Sequence, residues 1–163
     1  MILVYRLLIN LIVIFSPLII LIRLIKKKEH FVRFKEKFSI FSQKRKKGNL
    51  VWFHGASVGE LMSVIPLIEK LEEDKGIKQI LVTTSTLSSA KIFIKFKFKK
   101  TVHQFFPIDS ILFSYKFLNY WKPTIAIFVE SEIWPSIFRA LNKKNIPLKL
   151  LNARITKKTF NKW

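Results

Sequence analysis

Glu60 is the residue with the clearest potential for chemistry, because it follows Ser57 at the spacing Ser-x-x-Glu at the start of an apolar run. Two interpretations fit this spacing. In the first, Ser57 and Glu60 form a capping box that satisfies free backbone N–H groups at a helix start. In the second, the carboxylate is held at a ligand crevice as a general base that takes a proton from a hydroxyl group. The spacing alone favours the capping box.

The segment around Glu60 predicts how that carboxylate is positioned. Residues 50–53 form a short apolar and aromatic run that predicts a buried strand, and residues 54–56 predict a turn. A helix should then open at Ser57, with an apolar face made of Leu61, Val64, Ile65, Ile68 and Leu71. Open α/β sheets build ligand sites from this succession, because free N–H groups and the helix dipole point into the crevice beyond the strand ends.

The pattern of a strand followed by a helix repeats along the chain. We predict strands near residues 50–54, 80–84, 102–106, 124–129 and 148–151, and helices near 58–73, 90–98, 111–121 and 133–143. Strands that alternate with helices at this spacing predict an α/β fold, a Rossmann-like parallel sheet with helices on both faces. Pro66 should kink the first of these helices or mark a late start.

Polar and charged residues gather at the carboxyl ends of the predicted strands, at residues 54–60, 83–86, 107–109, 130–132 and 152–154. Because these ends meet at one edge of a parallel sheet, we expect Glu60, Glu130 and Glu132 to face one crevice, with Arg154 nearby. That convergence moves the interpretation of Glu60 toward an active site. Each residue taken alone also has a purely structural interpretation. His54 could simply be a hydrogen-bonded histidine at a strand end, and Glu130 and Glu132 could simply cap the next helix.

Composition narrows the classes of function. The 163 residues suffice for one ordinary domain with a core, and the absence of cysteine excludes disulfides and thiol chemistry. The net charge of +20 favours anionic partners, namely nucleic acid, anionic lipid or phosphorylated substrates. The sequence has no Walker loop, no Gly-x-Gly-x-x-Gly and no cysteine and histidine cluster, so we expect neither a cofactor nor a metal.

Residues 1–25 predict a membrane anchor. Residues 7–22 are almost wholly apolar, are bracketed by Arg6 and Arg23, and are slightly short for a full span. A lysine cluster at 26–28 follows in place of a small-residue cleavage site, which argues against a signal peptide. The same cluster places the following domain in the cytoplasm. We therefore expect an uncleaved anchor, or a helix dipped into the membrane.

Residues 26–47 predict a basic amphipathic helix at the membrane surface. Phe31, Phe34, Phe38 and Phe41 recur at helical spacing, and lysine and arginine fill the other faces. An alternative of equal weight is that these phenylalanines pack on the domain while the charges are solvated. Nucleic-acid binding is less favoured, because a hydrophobic anchor lies directly upstream.

Five stretches resemble, in order, the motifs of the Kdo transferases of lipopolysaccharide synthesis: Trp52-Phe-His-Gly-Ala-Ser-Val-Gly-Glu60, Val82-Thr-Thr-Ser-Thr86, Phe106-Pro-Ile-Asp109, Val129-Glu-Ser-Glu-Ile-Trp-Pro135 and Asn152-Ala-Arg-Ile155. These enzymes move 3-deoxy-D-manno-octulosonic acid (Kdo) from CMP-Kdo to a lipid A precursor. The resemblance implies the N-terminal domain of a GT-B glycosyltransferase, in which two Rossmann-like halves enclose the active site. It also implies an N-terminal membrane anchor.

The resemblance also assigns roles to residues. Glu60 becomes the proton acceptor, and Glu130 the residue that stabilises charge in the transition state of an inverting transfer. The substrate-binding residues it implies are His54, Gly55, Ala56, Ser57, Gly59, Thr84, Ser85, Glu132, Asn152 and Arg154. The family needs no metal for this step, because the leaving group is CMP with its single phosphate.

The sequence ends at Trp163, where the family continues into a second domain that binds most of the sugar donor. We therefore expect residues 48–163 to hold the acceptor-side half of the site and the base. On this interpretation the chain is a truncated transferase, and whether it is active alone stays open. The alternative is a non-catalytic, membrane-anchored basic module that binds anionic lipid or a protein partner. That module explains the charge and the anchor, but not carboxylates at two strand ends.

Overall fold

A computed structural model describes residues 2–130 and 132–153. In that part of the chain, parallel strands form one sheet: β1 Asn49–His54, β2 Ile77–Thr84, β3 Thr101–Phe105, β4 Ile125–Val129 and β5 Leu148–Leu151. The helices are α1 Ile2–Ile25, α2 Val58–Glu73, α3 Leu87–Phe93, α4 Ile111–Trp121 and α5 Pro135–Lys143. The predicted α/β fold, with an apolar N-terminal helix before the sheet, is confirmed.

The strands lie in the order β3-β2-β1-β4-β5. The chain therefore builds outward from β1 to one edge of the sheet, then returns to the centre and builds from β4 to the other edge. β1 pairs with β4 from Val51 opposite Ile125 to His54 opposite Phe128. Connections leave the two strands in opposite directions at such a switch point, which opens a crevice beyond their carboxyl ends.

Two hydrophobic cores cover the two faces of the sheet. Leu50 and Trp52 of β1 pack on one face with α4 and α5. Val51 and Phe53 pack on the other face with α2 and α3. A central strand covered on both faces gives the residues at its carboxyl end a fixed platform.

Capping side chains decide where two of the helices begin. α2 begins at Val58, as predicted, because the Ser57 hydroxyl accepts the Glu60 N–H. Of the two alternatives given for Pro66, the late start is therefore wrong. The helix predicted at 90–98 begins at Leu87, because the Thr86 hydroxyl accepts the N–H of Ser89.

The helix predicted over residues 26–47 is not formed. Only Arg33–Phe38 is helical, as a short 3₁₀ helix. The carboxylate of Glu36, only 1% exposed, accepts the guanidinium N–H of Arg33 at 2.7 Å and the backbone N–H of Phe105 at 2.7 Å. This buried acid ties the segment to the end of β3, and a regular surface helix would leave it in solvent.

The phenylalanines of this segment divide between two environments. Phe38 packs edge-on against Phe113, and Phe41 stacks on Tyr120 at 3.8 Å between ring centroids. Phe31 is 80% exposed. The alternative in which phenylalanines pack on the domain therefore describes Phe38 and Phe41.

α1 is long and apolar enough to cross a membrane, judged by length and composition. One side of it faces the domain, where Ser16 and Ile20 are buried. The Tyr5 hydroxyl donates to Asp109 at 2.5 Å, and Arg23 pairs with Glu29 at 3.0 Å. Most of the remaining surface of α1 is apolar and exposed, and Asn10 is an exposed polar residue within it.

Candidate active site at the centre of the sheet

The carboxyl ends of β1 and β4 bring three of the predicted site residues together. His54 is the last residue of β1, Glu60 lies in the first turn of α2, and Glu132 lies in the loop between β4 and α5. Nε2 of His54 is 3.5 Å from Oε2 of Glu132. Glu60 is close enough for its charge to act on the same imidazole. His54 and Glu132 thus meet at the switch point of the sheet, and Glu60 lies within electrostatic range of the imidazole.

Glu60 forms a variant of the predicted capping box, in which its carboxylate takes the N–H of Ala56 in place of the N–H of Ser57, and it is 9% exposed. The Ala56 N–H donates to Oε2 at 2.7 Å, and the Ser57 hydroxyl donates to Oε1 at 2.8 Å. In return, the Ser57 hydroxyl oxygen accepts the Glu60 N–H at 3.2 Å. A carboxylate has about four lone-pair sites, so two remain to receive a proton from a bound hydroxyl. The cap and the base are therefore compatible in one residue.

Gly55 and Gly59 differ in how much space is available for a side chain. A Cβ at Gly55 would lie 3.1 Å from Cβ of Glu60, so the absence of a side chain lets Glu60 fold back over the turn. A Cβ at Gly59 would meet only the Ser57 hydroxyl, at 4.0 Å. Glycine inside a helix costs about 1 kcal/mol relative to alanine. Since packing does not require it, Gly59 is better explained as space for a ligand at the start of α2.

His54 is completely buried against the ring of Phe106, with 3.9 Å between ring centroids. Its Nδ1 lies 3.1 Å from the carbonyl oxygen of Thr83, so we assign the ring proton to Nδ1. Burial lowers the pKa of His54, and the neighbouring Glu132 only partly opposes that effect. The imidazole is therefore neutral near pH 7, with the Nε2 lone pair directed toward Glu132.

Glu132 remains ionised in this setting. The indole N–H of Trp134 donates to its Oε2 at 2.8 Å and stabilises the charged form. The 3.5 Å separation from His54 is at the long limit for a hydrogen bond. Nε2 of His54 has no closer hydrogen-bond partner among the described residues. Two acceptors that face each other in this way would both be satisfied by two neighbouring hydroxyls, each of which donates one hydrogen bond.

The structure separates Glu130 from Glu132. Glu130 is exposed and has a φ of 58°, and its N–H donates to the carbonyl of Leu151 at 2.7 Å. Asn152, at the end of the neighbouring strand, is also exposed and has a φ of 52°. Both residues turn the chain out of the sheet in a conformation that is uncommon without glycine. Glu132, not Glu130, is thus the glutamate that contacts His54.

The remaining predicted residues lie apart from this group. The hydroxyl of Thr84 is buried beside Nε2 of His103, at 2.9 Å. Ser85 lines a separate, mostly apolar cavity of about 250 Å³ between α1 and the strand ends, together with Ile9, Ile12, Phe106 and Trp134. Arg154 lies outside the described residues. Within residues 2–130 and 132–153, no group of three or more histidine, aspartate or glutamate side chains is placed to hold a metal ion.

Three residues that the sequence prediction left out help to build the site. The Thr83 hydroxyl accepts the indole N–H of Trp52 at 2.9 Å and lies 3.0 Å from Nδ1 of His54. Trp134 holds Glu132. Asp109 accepts the backbone N–H groups of Ser136 at 2.9 Å and Ile137 at 2.8 Å. Trp134 and Asp109 lie within recognised motifs, but no local pattern links either of them to its partner.

The acid at Asp109 sets the start of α5 from a distant part of the chain. Asp109 is 2% exposed, and burial raises the pKa of its carboxyl group even though hydrogen bonds from Tyr5, Ser136 and Ile137 oppose that change. Since α5 follows directly after Trp134, this contact fixes the end of the loop that carries Glu132. Asp109 is therefore a positioning residue of the candidate site.

Comparison with known proteins identifies the family of this chain. The family model for 3-deoxy-D-manno-octulosonic-acid transferase (kdotransferase) matches residues 32–163. A probable mitochondrial 3-deoxy-D-manno-octulosonic acid transferase of Arabidopsis thaliana is 41% identical over 151 residues, which cover 91% of this chain and 34% of that protein. The 3-deoxy-D-manno-octulosonic acid transferase of Rickettsia bellii is 42% identical over 145 residues, 89% of this chain and 34% of its own length.

A more distant relative extends the comparison. The 3-deoxy-D-manno-octulosonic acid transferase of Haemophilus influenzae is 31% identical over 114 residues, which cover 69% of this chain and 26% of that protein. The chain therefore spans about a third or less of the length of these relatives. The matched residues include the turn that carries Glu60 and the loop that carries Glu132. The chain belongs to the Kdo transferase family.

Proposed function

We propose that this chain is the acceptor-side domain of a Kdo transferase that moves Kdo from CMP-Kdo to a lipid A precursor. The observation that carries the proposal is the convergence of Glu60, His54 and Glu132 at the switch point of the sheet. It occurs in a chain whose family is Kdo transferase. On this proposal, a second domain of the GT-B type supplies most of the CMP-Kdo site.

Glu60 is the general base of the proposed reaction. One of its free lone pairs takes the proton of an acceptor hydroxyl while that oxygen attacks the anomeric carbon of Kdo. The bond between this carbon and the phosphate oxygen of CMP breaks on the opposite face, and CMP leaves with the electron pair. The anomeric configuration inverts. A base in this position contributes about 10²–10⁴-fold to the rate.

The other residues of the crevice bind and orient the substrates. Nε2 of His54 and the carboxylate of Glu132 each accept a hydrogen bond from one of two neighbouring sugar hydroxyls, which explains two acceptors 3.5 Å apart. The space beside Gly59 lets a negatively charged group approach the N–H groups at the start of α2. Glu130, exposed at the same edge, stabilises the charge that develops in the transition state.

Attachment to the membrane belongs to the same proposal. The exposed apolar surface of α1 anchors the chain to the inner membrane, with the sheet on the cytoplasmic side. The excess of lysine and arginine favours anionic headgroups around it. Such a position brings the crevice to an acceptor whose acyl chains stay in the bilayer.

The test is to join this chain to the C-terminal half of a related two-domain Kdo transferase and to measure transfer from CMP-Kdo to a lipid A precursor. We expect transfer with inversion, detected by mass spectrometry and by the anomeric signals in NMR. The intact related enzyme is the positive control. If the joined protein folds and binds vesicles but transfers no Kdo, the transferase proposal is wrong and the non-catalytic binding module is favoured.

A further inference from the structure

α1 is fastened to the domain near both of its ends. Near its start, the Tyr5 hydroxyl donates to the buried carboxylate of Asp109 at 2.5 Å. Near its end, Arg23 pairs with the buried Glu29 at 3.0 Å, and Lys37 pairs with the same carboxylate at 2.6 Å. A helical rise of about 1.5 Å per residue puts Tyr5 and Arg23 about 27 Å apart. The helix therefore lies alongside the domain over most of its length.

The two sides of α1 have different surroundings. On the side that faces the domain, Ser16 and Ile20 are buried, and Ile9 and Ile12 line the cavity next to Trp134. On the other side, the exposed side chains are Leu3, Val4, Leu7, Leu8, Leu11, Ile14, Phe15, Leu18, Ile19, Leu21, Ile22 and Ile25. A helix that is apolar all round needs an apolar partner on every side, and the domain provides only one. An exposed patch of this extent marks an interaction surface.

Positive charges flank this apolar surface on the side of the domain. At the start of α1, Arg6 lines a cavity of about 270 Å³ together with Arg139 and Lys143 of α5. The lining of that cavity contains no acidic side chain among the described residues, and Arg139 and Lys143, one turn apart, repel each other. Arg23 and the lysines at 26–28 lie at the other end of the helix. Anionic headgroups of a single leaflet would complement both groups of charge.

The contacts of α1 with the domain argue against a crossing of the bilayer. The helix is long enough to cross, but the apolar residues between Arg6 and Arg23 span only about 24 Å, so a crossing would hold both arginines at the edges of a hydrocarbon core of about 30 Å. A crossing would carry Arg6 to the opposite leaflet, away from Arg139 and Lys143, and would break the contact between Tyr5 and Asp109. A helix that lies in the plane of one leaflet keeps all of these contacts.

We propose that α1 lies along the surface of one leaflet, between the domain and the lipids, and does not cross the membrane. This inference rests on the membrane attachment of the proposed function, but not on its transferase chemistry. Because α1 shares a cavity with Trp134 and Ser85, this orientation holds the carboxyl edge of the sheet at the headgroup layer. A lipid acceptor would reach Glu60 and Glu132 there without leaving the bilayer.

The chain has no cysteine, so single cysteines can report the depth of α1 in a membrane. Leu7→Cys, Ile14→Cys and Leu21→Cys place a fluorophore at heptad spacing on the same, exposed side of the helix. Each labelled chain is bound to vesicles of phosphatidylethanolamine and phosphatidylglycerol whose acyl chains carry bromine at different depths. Lys70→Cys, exposed on α2, is the control that should show no quenching.

We expect the three labels on α1 to report the same shallow depth, with equal quenching ratios between shallow and deep bromines. A crossing helix would place the label at residue 14 about 10 Å deeper than the other two, and that result would overturn the proposal. Binding to vesicles with no quenching at any α1 position would also overturn it, because another partner would then cover the surface. Equal depths combined with failure of the transfer assay would leave this inference intact and reject only the proposed chemistry.

Discussion

The loops after β1 and after β4 both carry a carboxylate to the crevice, but they are held in different ways. Glu60 is fixed by Ala56 and Ser57, its neighbours in the same turn. Glu132 is placed against His54 of another strand, and the helix that follows its loop is capped by Asp109, also distant in sequence. The first loop is a local structure, whereas the second exists only in the assembled domain.

This difference suits the two proposed roles. A general base needs one fixed geometry, and a closed capping box provides it. The second loop depends on Asp109, which also binds Tyr5 of α1, so the position of Glu132 is coupled to α1. Substitutions should therefore disturb the two loops independently.

The largest expected effect is on the first loop. In the joined two-domain protein, Glu60→Gln should lower the rate of Kdo transfer by about 10²–10⁴-fold, because an amide cannot act as the base. The free energy of unfolding should change little, since glutamine can also close a capping box. Enzyme kinetics and denaturant titration measure the two quantities.

Ser57→Ala is the matched control, because it breaks the cap and keeps the carboxylate. It should cost about 1 kcal/mol of stability. If Glu60→Gln retains near-normal transfer while Ser57→Ala destabilises the fold, Glu60 is only a cap.

The next largest effect should be on the second loop. Asp109→Ala leaves the buried N–H groups of Ser136 and Ile137 without their acceptor, at about 1–3 kcal/mol for each group. NMR should show the ring signals of His54 shifting as Glu132 moves, while the amide signal of Ala56 stays in place. Asp74→Ala is the control, because the exposed carboxylate of Asp74 accepts, among the described residues, only the N–H of its neighbour Gly76. A shift of Ala56 as large as that of His54 would contradict the independence of the loops.

Acid should destabilise the fold through its buried histidines. Burial and then the charge of Arg33 lower the pKa of His103 to about 3, and burial lowers the pKa of His54. In the unfolded chain both histidines titrate near a pKa of about 6.5. As the pH falls from about 6.5 toward 3, the unfolded chain therefore binds protons that the folded state does not bind.

Stability should therefore be fully present above about pH 6.5 and should fall by up to about 1.4 kcal/mol per pH unit for each such histidine. Urea unfolding at a series of pH values measures this slope. His54→Gln and His103→Gln should each reduce it by about one proton. A slope that neither substitution changes would show that carboxylates dominate the acid transition.

The smallest expected effect separates the two glycines of the first loop. Gly59→Ala should raise the free energy of unfolding by about 0.5–1 kcal/mol, because its Cβ enters open space within a helix. Gly59→Ala should also raise KM in the joined protein, because its Cβ would fill the space that the proposed ligand occupies. Gly55→Ala should instead lower kcat, since its Cβ would press on Glu60. An unchanged KM for Gly59→Ala would remove the ligand explanation for that glycine.

The sequence by itself determined the alternation of strands and helices, the capping box at Ser57 and Glu60, and the family. These features depend on residues that are close together along the chain. Periodic apolar positions predict which backbone will be covered, and short spacings predict which side chain can reach a given N–H group. Even the unexpected early start of α3 follows from a local cap at Thr86.

Only the tertiary structure decided the strand order that puts β1 beside β4 and brings Glu132, but not Glu130, to His54. It also replaced the helix predicted over residues 26–47 by a segment tied to β3 through Glu36. Both outcomes depend on which distant groups become buried together. A buried carboxylate or imidazole is costly without partners, so the assembled core selects backbone positions that satisfy it, and no local spacing encodes that choice.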